Sequence, residues 1–239
     1  MKPVCLITGA GGRLGTDLCL ALRDDYHVVA TYQKKAPSMP SQHQAPIEGA
    51  DDEQKSDSSR HDPIYVIQAD LSRREDIRRL IEVTLARYGR IDALINSAAD
   101  TKFHGHLRDL WQADDYPKTQ MHLNSAVPIQ LASAIYHYCW KDQLEDNVRM
   151  NRSVVNVSSV SGLYVFKEAN QAYYGVSKAA LNMLTQYLSL EFSPYGVRVN
   201  AICPSQFLRP AATRRVTDSI KELLTGKLTG EIVTKLSRN

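Results

Sequence analysis

Short apolar runs alternate along the chain with longer stretches in which apolar positions recur every three or four residues. The short runs lie at 4–8, 27–32, 64–69, 93–96, 153–158, 197–202 and 231–234, and they are rich in β-branched residues. That composition and length predict strands. Helical spacing covers 14–23, 75–88, a long stretch over 119–140, 173–192 and 216–224. Ser72 precedes Glu75 by three residues, so a capping box is expected to start the second helix. Strands alternating with helices give parallel strands joined by helical crossovers, which predicts a three-layer α/β architecture in one domain over 1–239.

One stretch breaks the alternation. Residues 36–63 carry Pro37, Pro40, Pro46 and Pro63, then the polar run 51–62, with no apolar stripe. A helix is due there and is expected to be missing, replaced by a flexible loop.

The turn after the first strand is Gly9-Ala10-Gly11-Gly12-Arg13-Leu14-Gly15, and it opens directly into a helix. Glycines allow a tight turn and let backbone N–H groups approach a pyrophosphate at the helix start. Strand, glycine turn and helix in this order predict a Rossmann-type doubly wound sheet with a dinucleotide on Gly9, Gly12, Arg13, Leu14 and Gly15. An NAD site usually has a carboxylate at the end of the second strand for the ribose 2′-hydroxyl. Here Tyr32 and Gln33 stand there, followed by Lys34 and Lys35. Cations and a missing acid favour a 2′-phosphate, so the expected cofactor is NADP(H).

Charge and cysteine usage narrow the setting. Among 239 residues, 29 basic and 26 acidic side chains leave a net charge of +3. That balance, without basic runs interleaved with aromatics, gives no reason to expect nucleic acid or a membrane surface as partner. Cys5, Cys19, Cys139 and Cys203 are far apart and sit in apolar surroundings, which suits free thiols and a cytosolic location. The first ten residues read as a strand rather than a leader peptide. His104 and His106 lack a neighbouring acid or cysteine, so no metal site is expected.

Further motifs follow in a fixed order: Ala69-Asp70-Leu71, Asn96-Ser97-Ala98-Ala99, Asn124, Asn156-Val157-Ser158-Ser159, Tyr174-x-x-x-Lys178 and Arg198 through Pro204. From residue 4 to about 204 the chain resembles the short-chain dehydrogenases/reductases. The Arg13 turn with its Tyr32-Gln33-Lys34 ending is similar to the pteridine-reductase group, which uses NADPH. The resemblance implies that Asp70 and Leu71 border the adenine, and that Asn96, Ser97, Ala98 and Pro204 also border the cofactor. It further implies a catalytic set of Asn124, Ser159, Tyr174 and Lys178, with Tyr174 and Lys178 also holding the nicotinamide ribose. Four residues apart, Tyr174 and Lys178 share a helix face, and a nearby ammonium is expected to lower the phenol pKa. Tyr173 has only Ser177 at that spacing. Ser159 is preferred over Ser161 because it stands three before Gly162, as in the family.

The implied reaction moves hydride between the nicotinamide and a carbonyl/alcohol, imine or enone substrate, small or carrier-bound. The implied assembly is a homodimer or homotetramer. Between Pro204 and the helix at 216–224 little chain remains, so the substrate lid is expected to be shortened and the site open. A second reading keeps the fold as a catalytically weak nucleotide-binding regulatory or scaffold protein.

Overall fold

The computed structural model describes residues 2–39, 41–43, 63–102, 105–112, 116–167, 170–205 and 210–235. Its strands are β1 (Val4–Thr8), β2 (His27–Tyr32), β3 (Ser41–His43), β4 (Ile64–Gln68), β5 (Ala93–Asn96), β6 (Ser153–Val157), β7 (Arg198–Pro204) and β8 (Ile232–Lys235). They form one parallel sheet in the order β3-β4-β2-β1-β5-β6-β7-β8. The inner strands β1, β6 and β7 are buried along their whole length. Burial on both faces is why parallel strands read as unbroken apolar runs rather than alternating ones.

The helices are α1 (Arg13–Leu22), α2 (Arg74–Tyr88), α3 (Tyr116–Met121), α4 (Val127–Ile135), α5 (Leu144–Arg149), α6 (Ala172–Phe192) and α7 (Pro210–Thr225). On one sheet face, Leu14, Leu18 and Leu22 of α1 share a core with Val216, Ile220 and Leu224 of α7. On the other, Leu80 of α2, Leu131 of α4 and Phe192 of α6 pack with Leu6, Leu94 and Val154. These are the three layers of a doubly wound Rossmann-type fold. Chain order runs outward from the β1–β5 junction in both directions, except that the short edge strand β3 lies outside β4. A crevice opens there at the carboxyl ends of the strands, where such folds bind ligands.

Four expectations change. Residues 41–43 pair with β4 as an edge strand, and residues 40 and 44–62 of the loop expected over 36–63 lie outside the described residues. Ser72 does not cap α2: Arg73 occupies the cap position without a side-chain bond, because the Ser72 hydroxyl donates to Asp70 instead at 2.7 Å. The stretch 119–140 is not one regular helix; α3 and α4 are joined by a wider π-type turn at His122–Ala126, with another at Tyr136–Trp140. Finally, α7 starts at Pro210 rather than 216, only a few residues after β7 ends at Pro204, so the connection is even shorter than expected. Among the described residues no helix is long and apolar enough to cross a membrane.

Candidate functional site

The glycine turn is built by close approach. Gly9 has φ +75°, and a Cβ there would lie 2.8 Å from the Ala98 backbone. A Cβ on Gly15 would meet the Gly9 carbonyl at 2.2 Å, and one on Gly11 would meet the Lys35 carbonyl at 2.0 Å. Side chains are thus excluded at three points, which seats the turn against both the 97–98 turn and the segment after β2. Gly12 precedes α1 without a side-chain cap and no acid occupies the first helical turn, so the N–H groups of that turn face no competing carboxylate. Thr8 fixes the neighbouring turn: its buried hydroxyl accepts from both Ser97 N–H and Ala98 N–H at 3.0 Å.

These segments enclose a cavity of about 600 Å³. Of the residues expected at the cofactor, Gly9, Gly12, Tyr32, Gln33, Lys34, Asp70, Leu71, Ser97 and Ala98 line it, together with Lys35. The others stand elsewhere. Leu14 is in the core and Gly15 packs behind Gly9. Arg13 is exposed at the start of α1. Asn96 is buried, donating to Asn156 Oδ1 at 2.8 Å, and Pro204 is buried at the end of β7. Burial works against ionisation of Asp70, but hydrogen bonds from the Ser72 hydroxyl and N–H and the Gln33 side chain, with Arg73 nearby, hold its carboxyl below its ordinary value. Thr31 also lines the cavity, and among the described residues its buried hydroxyl has no partner. A glycine cradle with no room for Cβ atoms, an ionised Asp70 and an orphaned hydroxyl fit a dinucleotide.

Tyr174, Lys178 and Ser159 form a second cluster, outside the wall of that cavity. The Tyr174 hydroxyl lies beside the Ser159 side chain, near enough for Ser159 to favour its ionised form, and Ser159 accepts from Ser161 N–H at 3.1 Å. The structure therefore brings Ser159, not Ser161, to the tyrosine. Close contact holds this arrangement: a Cβ on Gly162 would meet the Lys178 backbone at 2.7 Å, and one on Gly175 the Ser161 carbonyl at 2.8 Å. The Lys178 ammonium lies 5.8 Å from the Tyr174 ring centroid and donates to the Val157 carbonyl at 2.8 Å.

The expected lowering of the phenol is not found here. Burial raises Tyr174 above its ordinary value, opposed only by the Ser159 side chain. Lys178 is itself 2% exposed, and burial pushes it down from 10.5 to about 8, so it has lost its charge by the pH at which the phenol ionises. Behind it stands Cys203, whose thiol donates to Asn182 Oδ1 at 3.5 Å. Its complete burial as a free thiol agrees with the apolar surroundings read from the sequence.

Asn124 sits in the π-type turn between α3 and α4 and is fully buried. Its Oδ1 accepts from Asp100 N–H at 2.7 Å, while Nδ2 donates to the Asp100 carbonyl at 2.8 Å and to Ser177 Oγ at 3.1 Å. Both amide hydrogens are thus spent on protein. Ser177, Thr8 and Thr31 were not singled out from the sequence, because small hydroxyl residues in buried elements carry no distinctive spacing.

The short chain dehydrogenase family model matches residues 3–220. A 7alpha-hydroxysteroid dehydrogenase of Bacteroides fragilis is 26% identical over 165 residues, 69% of this chain and 59% of that protein. The A-factor type gamma-butyrolactone 1′-reductase of Streptomyces virginiae is 32% identical over 213 residues, covering 84% of this chain and 70% of that one. Among curated relatives the coverage is uneven: the chain spans 46% of the Bradyrhizobium diazoefficiens protein FixR and 60% of a Thermotoga maritima oxidoreductase. A Brucella ovis oxidoreductase of the short chain dehydrogenase/reductase family, solved in complex with a partially ordered NAD, is 26% identical with a TM-score of 0.72, over 98% of this chain and 99% of that chain. With the family model spanning nearly the whole sequence, this chain belongs to the short-chain dehydrogenase family.

Proposed function

We propose that this chain is a cytosolic NADP(H)-dependent oxidoreductase acting on a carbonyl/alcohol pair, with Tyr174 exchanging the proton. The observation that carries the reading is the Tyr174 hydroxyl beside the Ser159 side chain, one helical turn from the buried Lys178. Relatives and structural neighbours that are named reductases and dehydrogenases, or bind NAD, support a nicotinamide cofactor. When bound, that cofactor supplies or accepts the hydride.

The residues of the chain do the rest. The glycine turn and the start of α1 hold the pyrophosphate, Asp70 and Leu71 border the adenine, and Ser97 and Ala98 form the opposite wall. A phenol held above its ordinary value is protonated at neutral pH, so Tyr174 stands ready to donate to a carbonyl oxygen. Ser159 orients that oxygen by a hydrogen bond, and Lys178 holds the nicotinamide ribose once it leaves the Val157 carbonyl. Proton transfer by a positioned side chain contributes about 10²–10⁴-fold in rate. Asn124 acts as a positioning residue. The short link between β7 and α7 leaves room for a bulky or carrier-bound carbonyl compound as well as a small one.

NADP(H) is preferred because no carboxylate stands at the end of β2, while Lys34 and Lys35 line the cavity and Arg13 opens α1. A charge-assisted contact is worth about 1.5–3 kcal/mol, roughly tenfold and upward in affinity. Calorimetric titration should therefore find NADPH bound at least tenfold more tightly than NADH; equal or tighter NADH binding contradicts the preference. One observation favours the second reading, a nucleotide-binding scaffold protein with weak catalysis: Lys178 spends a hydrogen bond on Val157. A panel of ketones, aldehydes, enones and imines separates the two, since a scaffold protein binds NADPH without oxidising it.

A further inference from the structure

The cofactor cavity and the Tyr174 cluster have separate walls, yet one buried chain of hydrogen bonds runs between them. Asp100 lines the cavity. Its N–H and carbonyl are both paired by the Asn124 amide, much as a neighbouring strand would pair them. The remaining Asn124 hydrogen goes to Ser177 Oγ at 3.1 Å, and Ser177 donates its single hydrogen to the Tyr174 carbonyl at 2.7 Å. Asn124 and Ser177 are both completely buried.

Hydrogen counting fixes the direction of the chain. A serine hydroxyl has one hydrogen. Because that hydrogen is given to Tyr174, Ser177 meets Asn124 only as an acceptor, which forces the Nδ2 side of the amide toward α6. Oδ1 is then left facing Asp100 N–H, the same orientation the Asp100 pairing requires, so Ser177 and the Asp100 turn hold Asn124 jointly. Without the hydroxyl, one Asn124 N–H is buried with no partner, and an amide in that state rotates or drags its neighbours.

We infer that Ser177 is a positioning residue that couples the cofactor wall at Asp100 to the first turn of α6, which carries Tyr174 and Lys178. This rests on the nicotinamide-dependent reading above. Occupancy of the cavity is thereby felt at the catalytic helix, and the geometry of that helix is felt at the cofactor.

The test uses NADPH as probe on the whole protein. Ser177→Ala should fold, bind NADPH about three- to tenfold more weakly, and exchange its amide hydrogens over 98–102 faster than the parent. Ser177→Cys keeps the volume with a poor hydrogen-bonding group and should behave alike if the alanine variant is unstable. In the parent, NADPH should slow exchange at 98–102 and at 174–178 together, a result independent of any variant. A lower melting temperature with unchanged NADPH affinity and unchanged exchange at 98–102 assigns Ser177 a purely structural part and overturns the inference, as does protection of 98–102 without 174–178 in the parent. If the parent binds neither NADPH nor NADH, the functional reading falls and takes this inference with it.

Discussion

In the proposed mechanism, Lys178 serves the chemistry at a cost in stability. Its fall from 10.5 to about 8 comes from burial and corresponds to a penalty on the order of 3 kcal/mol for keeping the ammonium inside. Below pH 8 the lysine is protonated both folded and unfolded, and the penalty is fully present. As pH rises from about 8 to 10.5, the folded form is neutral while the unfolded form still holds its proton, so the penalty fades. Lys178→Met should therefore unfold at higher denaturant concentration than the parent at pH 7, by about 1–3 kcal/mol once the lost Val157 bond is counted. The advantage should shrink toward pH 10. A methionine variant that is less stable than the parent at pH 7 contradicts this account. The spacing of Tyr174 and Lys178, and the Ser159–Gly162 interval, were readable from the chain, since each is a local pattern. The direction of the phenol shift was not, because it follows from the burial of Tyr174 itself in the folded chain.

The helices and strands were legible to different degrees for physical reasons. Inner strands such as β1 and β2 declare themselves as compact apolar runs, because both sheet faces cover them. The edge strand β3 is three residues long and sits in a proline-rich polar stretch, where nothing in the pattern marks pairing. The start of α7 was hidden because Pro210 and the two arginines that follow its first turn read as loop, although proline is favoured in a helix's first turn. The π-type turn at Asn124 was invisible: the apolar period barely shifts there, and the cause is a tertiary amide pairing with Asp100. On α6, Tyr174 and Lys178 face the sheet while Val176, Met183, Tyr187 and Leu190 form an outer stripe, each more than half exposed. A contiguous apolar stripe of this kind commonly marks an interaction face, and a two-fold pairing of α6 with its copy would cover it. We expect a homodimer or homotetramer in light scattering at micromolar concentration; a monomer there, with Tyr187→Glu changing nothing, contradicts the proposed pairing.

Two sites that look independent along the sequence become one device in the folded chain. The glycine turn, the end of β2 and Asp70 build a cavity at the switch point between β1 and β5, while β6 and α6 bring Ser159, Tyr174 and Lys178 together beside it. Asp100, Asn124 and Ser177 run between the two. Family membership and the doubly wound sheet could be read from motif order, whereas this coupling could not, because its three members lie in segments far apart in sequence. The claim on which the functional reading depends is that Tyr174, and not its neighbour Tyr173, moves the proton. Its most direct test is turnover of Tyr174→Phe beside Tyr173→Phe, followed as NADPH oxidation on whichever carbonyl compound the parent reduces. The account predicts a loss of about 10²–10⁴-fold for Tyr174→Phe with NADPH affinity nearly unchanged, and near-parent turnover for Tyr173→Phe. Near-parent turnover in Tyr174→Phe would mean another group donates the proton, and would contradict the mechanism.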